Sequence, residues 1–304
     1  MTKIAVIGTT SWGTTLAIML AKTSDVYLCS RTKEEELYLN KQRQNLRFLP
    51  GIVFPDKLNV TSSYKDALKN IDMLVVAVPS NKFRENIISI IPYLPNQCII
   101  LSATKGLETT SNQRMTEILE DELPSTLRNT LAVLSGPNLA KEIAIGMPAS
   151  TIIASNNKDV AQQTQHLFNS NTFRVYTNDD VVGVELGGSL KNIIAIGAGI
   201  SDGLGYGDNS KSAFINRGLV EITRLGMALG AKPLTFSGLA GLGDLVATCY
   251  STLSRNRYFG EEIGKGENVD HALSTMENVV EGINATFGAV SLASTLGISM
   301  PVTN

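Results

Sequence analysis

The chain has 304 residues, of which 43% are hydrophobic and 18% charged, with a formal net charge of −2. That length accommodates two domains with full cores, and the composition is that of an ordinary globular protein. The near-neutral balance supplies no basic field for nucleic acid or a membrane surface. The three cysteines, Cys29, Cys98 and Cys249, are far apart and form no CxxC pair, which suggests a reducing compartment and roles as small apolar side chains. The N-terminus runs straight into a strand pattern without the features of a leader. No apolar run is expected to reach membrane-spanning length, so a cytoplasmic protein without membrane insertion is expected. The two histidines, His166 and His271, have no metal-spaced neighbours. Neither a metal site nor histidine acid/base chemistry is therefore expected.

In chain order, short apolar runs at 4–7, 26–29, 73–78, 98–101, 131–134, 150–154 and 173–176 read as strands. Helical patterns fall between several of them, at 14–22, 34–44, 64–69, 82–91, 112–122, 139–144 and 159–168. Such alternation predicts an α/β Rossmann-type domain with a mostly parallel sheet covered on both faces. Strand signals stop near residue 180. Helical patterns follow at 181–200, 212–229, 240–249, 255–264 and 283–296. Residues 1–180 are therefore expected to form a dinucleotide-binding domain, and residues 181–304 an all-α substrate-binding domain.

The first strand runs into Gly8-Thr9-Thr10-Ser11-Trp12-Gly13, the context of a GxGxxG dinucleotide fingerprint. Gly8 permits the tight turn and Gly13 close helix–strand packing, but Thr10 stands where a glycine normally lets the backbone approach the pyrophosphate. The second strand ends in Ser30-Arg31-Thr32-Lys33 with no acid for the ribose hydroxyls. Two cations and two hydroxyls suit a 2′-phosphate instead, so NADP is expected to be preferred over NAD. Val78-Pro79-Ser80, Ala103-Thr104-Lys105-Gly106 and Ser135-Gly136-Pro137-Asn138 close later strands at the same sheet edge, where open α/β sheets bind ligands.

Lys191 is the only cation between Val175 and Ser210. Helical spacing puts Gly187 and Gly188 one turn before it on its own face, a side-chain-free floor beneath one ammonium group that is expected to receive a ligand. The other reading is a snorkelling rim lysine with glycines that serve helix packing. Further on, Asp244 stands among glycines in 238–245. Ser254 is an expected N-cap for a helix that begins with Arg255 and Asn256. Free N–H groups, a positive dipole end and a guanidinium make that terminus a ready phosphate site.

Taken together, Ser11-Trp12-Gly13-Thr14, Ala77-Val78-Pro79-Ser80, Thr104-Lys105-Gly106, Ser135-Gly136-Pro137, the segment from Gly183 to Asn192, Gly238 to Leu245, Ser254-Arg255-Asn256 and Val280-Glu281-Gly282 resemble the bacterial-type NAD(P)-dependent glycerol-3-phosphate dehydrogenases, in family order over nearly the whole chain. The resemblance implies a Rossmann domain followed by a helical domain, and a homodimer. It implies reversible oxidation of sn-glycerol 3-phosphate to dihydroxyacetone phosphate with NAD(P), supplying glycerol 3-phosphate for phospholipid synthesis. It implies that Lys191 is the proton acceptor. By the same resemblance Lys105, Gly136, Asn138, Asp244, Ser254, Arg255 and Asn256 contact substrate, while Ser11, Trp12, Arg31, Lys105, Ala140, Arg255, Val279 and Glu281 contact the dinucleotide. The chain departs from the family pattern at Thr10 and ends before the last helical elements that members usually carry.

Alcohol oxidation needs a group that removes the hydroxyl proton, and the reverse reaction a cation that returns it. A lysine does both if its pKa falls from about 10.4 toward neutrality. Burial and Lys105 would push Lys191 down and a close Asp244 would push it up, and spacing alone leaves the balance open. Two other readings share the pattern: a β-hydroxyacid dehydrogenase, which needs a carboxylate site, and a nucleotide-binding module without turnover.

Overall fold

The computed structural model describes residues 2–276 and 280–304. Its strands are β1 (Lys3–Ile7), β2 (Asp25–Cys29), β3 (Leu58–Thr61), β4 (Met73–Val76), β5 (Ile99–Ser102), β6 (Leu131–Ser135), β7 (Ala149–Ala154) and β8 (Phe173–Asn178). They form one sheet in the order β3-β2-β1-β4-β5-β6-β7-β8. Every neighbouring pair is parallel except β6–β7. Helices α1 (Ser11–Leu20), α2 (Lys33–Gln42), α3 (Tyr64–Ala67), α4 (Phe83–Ile90), α5 (Met115–Glu122), α6 (Ala140–Ala144) and α7 (Lys158–Phe168) connect and cover these strands.

The central strands are apolar on both sides because both of their faces are buried. In β1, Ile4 and Val6 enter one core while Ala5 and Ile7 enter the other, the period-2 alternation of a strand. Met73 and Val75 of β4 likewise oppose Leu74 and Val76. The strand order reverses at β1, so the crevice between the carboxyl ends of β1 and β4 is a topological switch point, where such sheets bind ligands.

Beyond the sheet come α8 (Val181–Gly203), α9 (Asp208–Ala228), α10 (Pro233–Ser237), a π-turn at Leu239–Gly243, α11 (Asp244–Tyr250), α12 (Arg255–Gly264), α13 (Val269–Ser274) and α14 (Glu281–Leu296). The centre of this half is α8, against which α9, α11, α12 and α14 all pack. Two glycines, one on each helix, allow α12 to approach α8 closely. A Cβ on Gly199 would lie 2.0 Å from the Arg257 carbonyl oxygen, and one on Gly260 would lie 1.9 Å from that of Ile196. Alanine at either position would force the two backbones apart.

Several expectations need correction. The Leu58–Thr61 edge strand and the short helices α10 and α13 were not anticipated. Residues 112–114 precede α5 because Asn112 adopts a left-handed backbone with φ 59°. The expected helix over 240–249 divides into the π-turn and α11. In addition, α8 is long and apolar enough to cross a membrane, contrary to expectation. Its most apolar window is 83% buried inside the protein, which marks it as a core helix.

Candidate active site

Loops from the sheet's carboxyl edge and elements of the helical half meet around α8. Two contacts fix the joint. The buried Glu185 on α8 accepts from Arg114 Nη1 at 2.6 Å and from the Thr116 backbone N–H at 2.9 Å. Burial pushes its carboxyl up and the Arg114 charge opposes that. One turn on, the Ser189 hydroxyl accepts from the Gly106 N–H at 2.9 Å, which holds the loop after β5 against α8.

That loop delivers Lys105. Its ammonium donates to the Gly136 carbonyl at 3.0 Å and to Asp244 Oδ2 at 2.7 Å. Asp244, 1% exposed at the start of α11, offers its other oxygen to the Lys191 ammonium. Lys191 also donates to the Thr248 hydroxyl at 2.7 Å, and that hydroxyl donates to the Asp244 carbonyl at 2.7 Å. One carboxylate thus serves two ammonium groups. Burial outweighs its attraction for Lys191, so the Lys191 pKa falls to about 8. Desolvation is the largest cause; Asp244 opposes it and Lys105 adds to it.

The expected glycine floor beneath Lys191 is not what the glycines provide. A Cβ on Gly187 would lie 2.4 Å from the Ala240 carbonyl, and one on Gly188 would lie 2.3 Å from the Ser135 hydroxyl. Both are needed for the π-turn and the end of β6 to reach α8 closely, which is the helix-packing alternative. Lys191 itself is buried among hydrogen-bond partners and does not snorkel.

The helical half adds further polar groups. Ser254 is buried and caps α12, accepting from the Arg257 N–H at 3.3 Å. Arg255 is exposed in the first turn, whereas Arg257 turns back to Asp202 at 2.6 Å. Asn256 is committed to the scaffold, donating to Asn192 at 3.0 Å and accepting from the Gly282 N–H at 2.9 Å. Glu281 opens α14. Burial pushes its carboxyl up, and the charges of Arg255, Lys105 and Lys191 pull it back. Val279 lies outside the described residues.

At the sheet edge, Gly8 has φ +116°, and a Cβ there would lie 2.3 Å from the Ala77 carbonyl. A Cβ on Gly13 would lie 2.0 Å from the Gly8 carbonyl. The first and third fingerprint glycines therefore serve as expected. Thr10 precedes α1 without a side-chain cap, and its hydroxyl reaches only to the Ala77 carbonyl at 3.5 Å. The Thr10 side chain therefore leaves the first-turn N–H groups of α1 uncapped, at the positive end of the helix dipole. The Trp12 indole N–H is enclosed in the same turn without a partner. Ser11 donates to the Phe48 carbonyl at 3.0 Å, and the Ala140 carbonyl accepts from Thr15 at 3.2 Å. Both bind the turn to its surroundings. This cradle fits a dinucleotide pyrophosphate.

Asn138 is drawn toward β7, where it accepts from the Thr151 hydroxyl at 2.9 Å. Sequence reasoning missed two residues of consequence. Thr248 lies one helical turn after Asp244 on α11, and that spacing would have found it. Glu35 is the other. It brings an acid to the carboxyl end of β2, where the strand itself carries none. A depression of about 700 Å³ lined by Thr2, Asp72, Ile99 and His166 lies elsewhere, at the amino edge of the sheet, and contains none of these groups.

Two family models match the chain. That of the NAD-dependent glycerol-3-phosphate dehydrogenase N-terminus covers residues 3–161, and that of the C-terminus covers residues 180–304. A glycerol-3-phosphate dehydrogenase (NAD(P)+) of Dehalococcoides mccartyi is 49% identical over 100% of this chain and 85% of its own length. That of Citrifermentans bemidjiense is 47% identical over 99% of this chain and 90% of its own. A crystal structure of the Coxiella burnetii glycerol-3-phosphate dehydrogenase superposes with a TM-score of 0.94 at 39% identity, covering 99% of this chain and 92% of that one.

Proposed function

The chain belongs to the NAD-dependent glycerol-3-phosphate dehydrogenase family, and from that premise we propose how its residues divide the work. It is an NAD(P)-dependent oxidoreductase that interconverts sn-glycerol 3-phosphate and dihydroxyacetone phosphate. When bound, NAD(P) supplies the ring that carries hydride to and from the substrate's central carbon.

In oxidation, neutral Lys191 takes the proton of the substrate hydroxyl. In reduction, its ammonium polarises the ketone and returns that proton. Asp244 and Thr248 aim the Lys191 amine, and the Lys105 charge helps to hold its pKa down. The N-terminus of α12, with Ser254 and Arg255, receives the substrate phosphate and so orients the carbon. Asn138, Gly136 and Asn256 shape the walls of this pocket, with Asn256 acting through the scaffold. The turn formed by Gly8, Thr10, Ser11, Trp12 and Gly13 holds the pyrophosphate, and Arg31, Ala140, Val279 and Glu281 border the nucleotide. On this reading residues 1–180 carry the cofactor and residues 181–304 the substrate, in a cytoplasmic homodimer that feeds phospholipid synthesis.

The observation that carries the assignment is the buried Lys191 ammonium, with its pKa lowered to about 8, beside Lys105, Asp244 and Thr248. The test is spectrophotometric reduction of dihydroxyacetone phosphate by the purified protein, with NADH and NADPH in parallel and a 3-keto acid as control substrate. Turnover confined to the phosphorylated ketone is expected. Turnover of the keto acid alone would assign a β-hydroxyacid dehydrogenase instead, and nucleotide binding without turnover would assign a binding module.

A further inference from the structure

At the carboxyl end of β2 the fold supplies an acid that this end of the strand lacks. Glu35 is the third residue of α2, whose N-cap Thr32 accepts from the Glu35 N–H at 3.2 Å. In a capping box the third-position carboxylate returns to the N–H of the cap residue. The Glu35 carboxylate reaches further. It accepts from the Arg31 backbone N–H at 3.0 Å and from the Thr9 hydroxyl at 2.6 Å. Thr9 is buried in the turn that follows β1. Glu35 therefore bridges the glycine turn and the end of β2, the place where a Rossmann site meets the adenosine ribose.

The surrounding charges point the same way. Glu34, Glu35 and Glu36 all lie in the first turn of α2. Lys33, one of the two cations that favoured a 2′-phosphate in the sequence, is paired with Glu36 at 2.5 Å. Glu36 is itself held by the Ser62 N–H at 2.8 Å and the Ser62 hydroxyl at 2.7 Å. Arg31 remains as an exposed cation. A 2′-phosphate entering here gains one guanidinium and meets a fixed carboxylate. A 2′-hydroxyl finds in that carboxylate an acceptor already in place.

We propose that Glu35 sets cofactor specificity, accepting the adenosine ribose 2′-hydroxyl of NADH and repelling the 2′-phosphate of NADPH, so that NADH is the preferred cofactor. This rests on the glycine turn being the dinucleotide site, and it reverses the preference expected from the end of β2 alone.

The test is the dissociation constant of each nucleotide, measured with the intact protein by quenching of Trp12. That residue is the chain's single tryptophan and sits in the glycine turn. The parent protein is expected to bind NADH more tightly than NADPH. Glu35→Gln keeps a hydrogen-bonding side chain on Thr9 and removes the charge. It is expected to shift the ratio of the two constants toward NADPH by about tenfold, equivalent to about 1.4 kcal/mol. Glu35→Ala should shift it in the same direction, with melting temperature recorded to confirm folding. A parent protein that prefers NADPH, or variants that change both constants by one factor, would overturn the inference and leave Glu35 a capping residue. A folded parent protein that binds neither nucleotide would overturn the dinucleotide reading itself, and the inference with it.

Discussion

A single carboxylate shared by two lysines sets the chemistry at the residue scale. With one partner each, Asp244 and Lys191 would form an ordinary ion pair that keeps the ammonium protonated. Desolvation of Lys191 exceeds the attraction of Asp244, and the Lys105 ammonium, 2.7 Å from the other carboxylate oxygen, adds its repulsion, so the Lys191 pKa falls to about 8. The sign of the pH dependence follows. Oxidation uses the neutral amine, so kcat/KM for glycerol 3-phosphate is expected to rise as pH passes through about 8. Reduction uses the ammonium and is expected to fall over the same interval. Lys105→Met removes that repulsion and should move both limbs to higher pH. Initial rates against pH in the two directions check this, and limbs that stay in place in the variant would refute this role of Lys105. Glu35 belongs to the same scale. It was invisible in the sequence because the acid was sought on the strand, whereas the fold delivers it from the first helical turn beyond.

At the element scale, helix termini and helix contacts explain what periodicity could and could not reveal. The long alternating runs were legible, because burial on both faces makes central strands continuously apolar. The missed strand Leu58–Thr61 is a four-residue edge strand with polar Asn59 and Thr61, too short for a pattern to stand out. The missed helices α10 and α13 have five and six residues, little more than one turn each. The glycines of α8 were legible as unusual, and of the two tasks the sequence left open the packing one fits: a Cβ on Gly187 would meet the Ala240 carbonyl and one on Gly188 the Ser135 side chain. The N-terminus of α12 was read correctly as a capped terminus, since Ser254 does accept from the Arg257 N–H. Its proposed partner is the substrate phosphate, and this can be tested by a cycle. Arg255→Ala and removal of the substrate phosphate should each cost kcat/KM heavily, while their combined cost should fall short of the sum by about 1–3 kcal/mol. Full additivity, measured with glycerol 3-phosphate and glycerol on both proteins, would separate Arg255 from that phosphate.

At the scale of the whole molecule, the site exists because two halves with different periodicities meet along one helix. The sheet edge contributes Lys105 and the glycine turn, and α8, α11, α12 and α14 contribute Lys191, Asp244, Thr248, Arg255 and Glu281. The buried Glu185 contacts with Arg114 and Thr116 and the Ser189–Gly106 bond hold the halves in register. None of these long-range contacts has a sequence period, which is why Lys191, Lys105 and Asp244 could be singled out while Thr248 and the balance among them could not. The central claim is that the environment makes Lys191 the proton-transfer group. Its most direct test is kcat of Lys191→Met for dihydroxyacetone phosphate reduction, measured together with the dissociation constant for NADH. A fall in kcat of about 10²–10⁴-fold, with cofactor affinity changed by no more than about twofold, is predicted; near-parental turnover would contradict it.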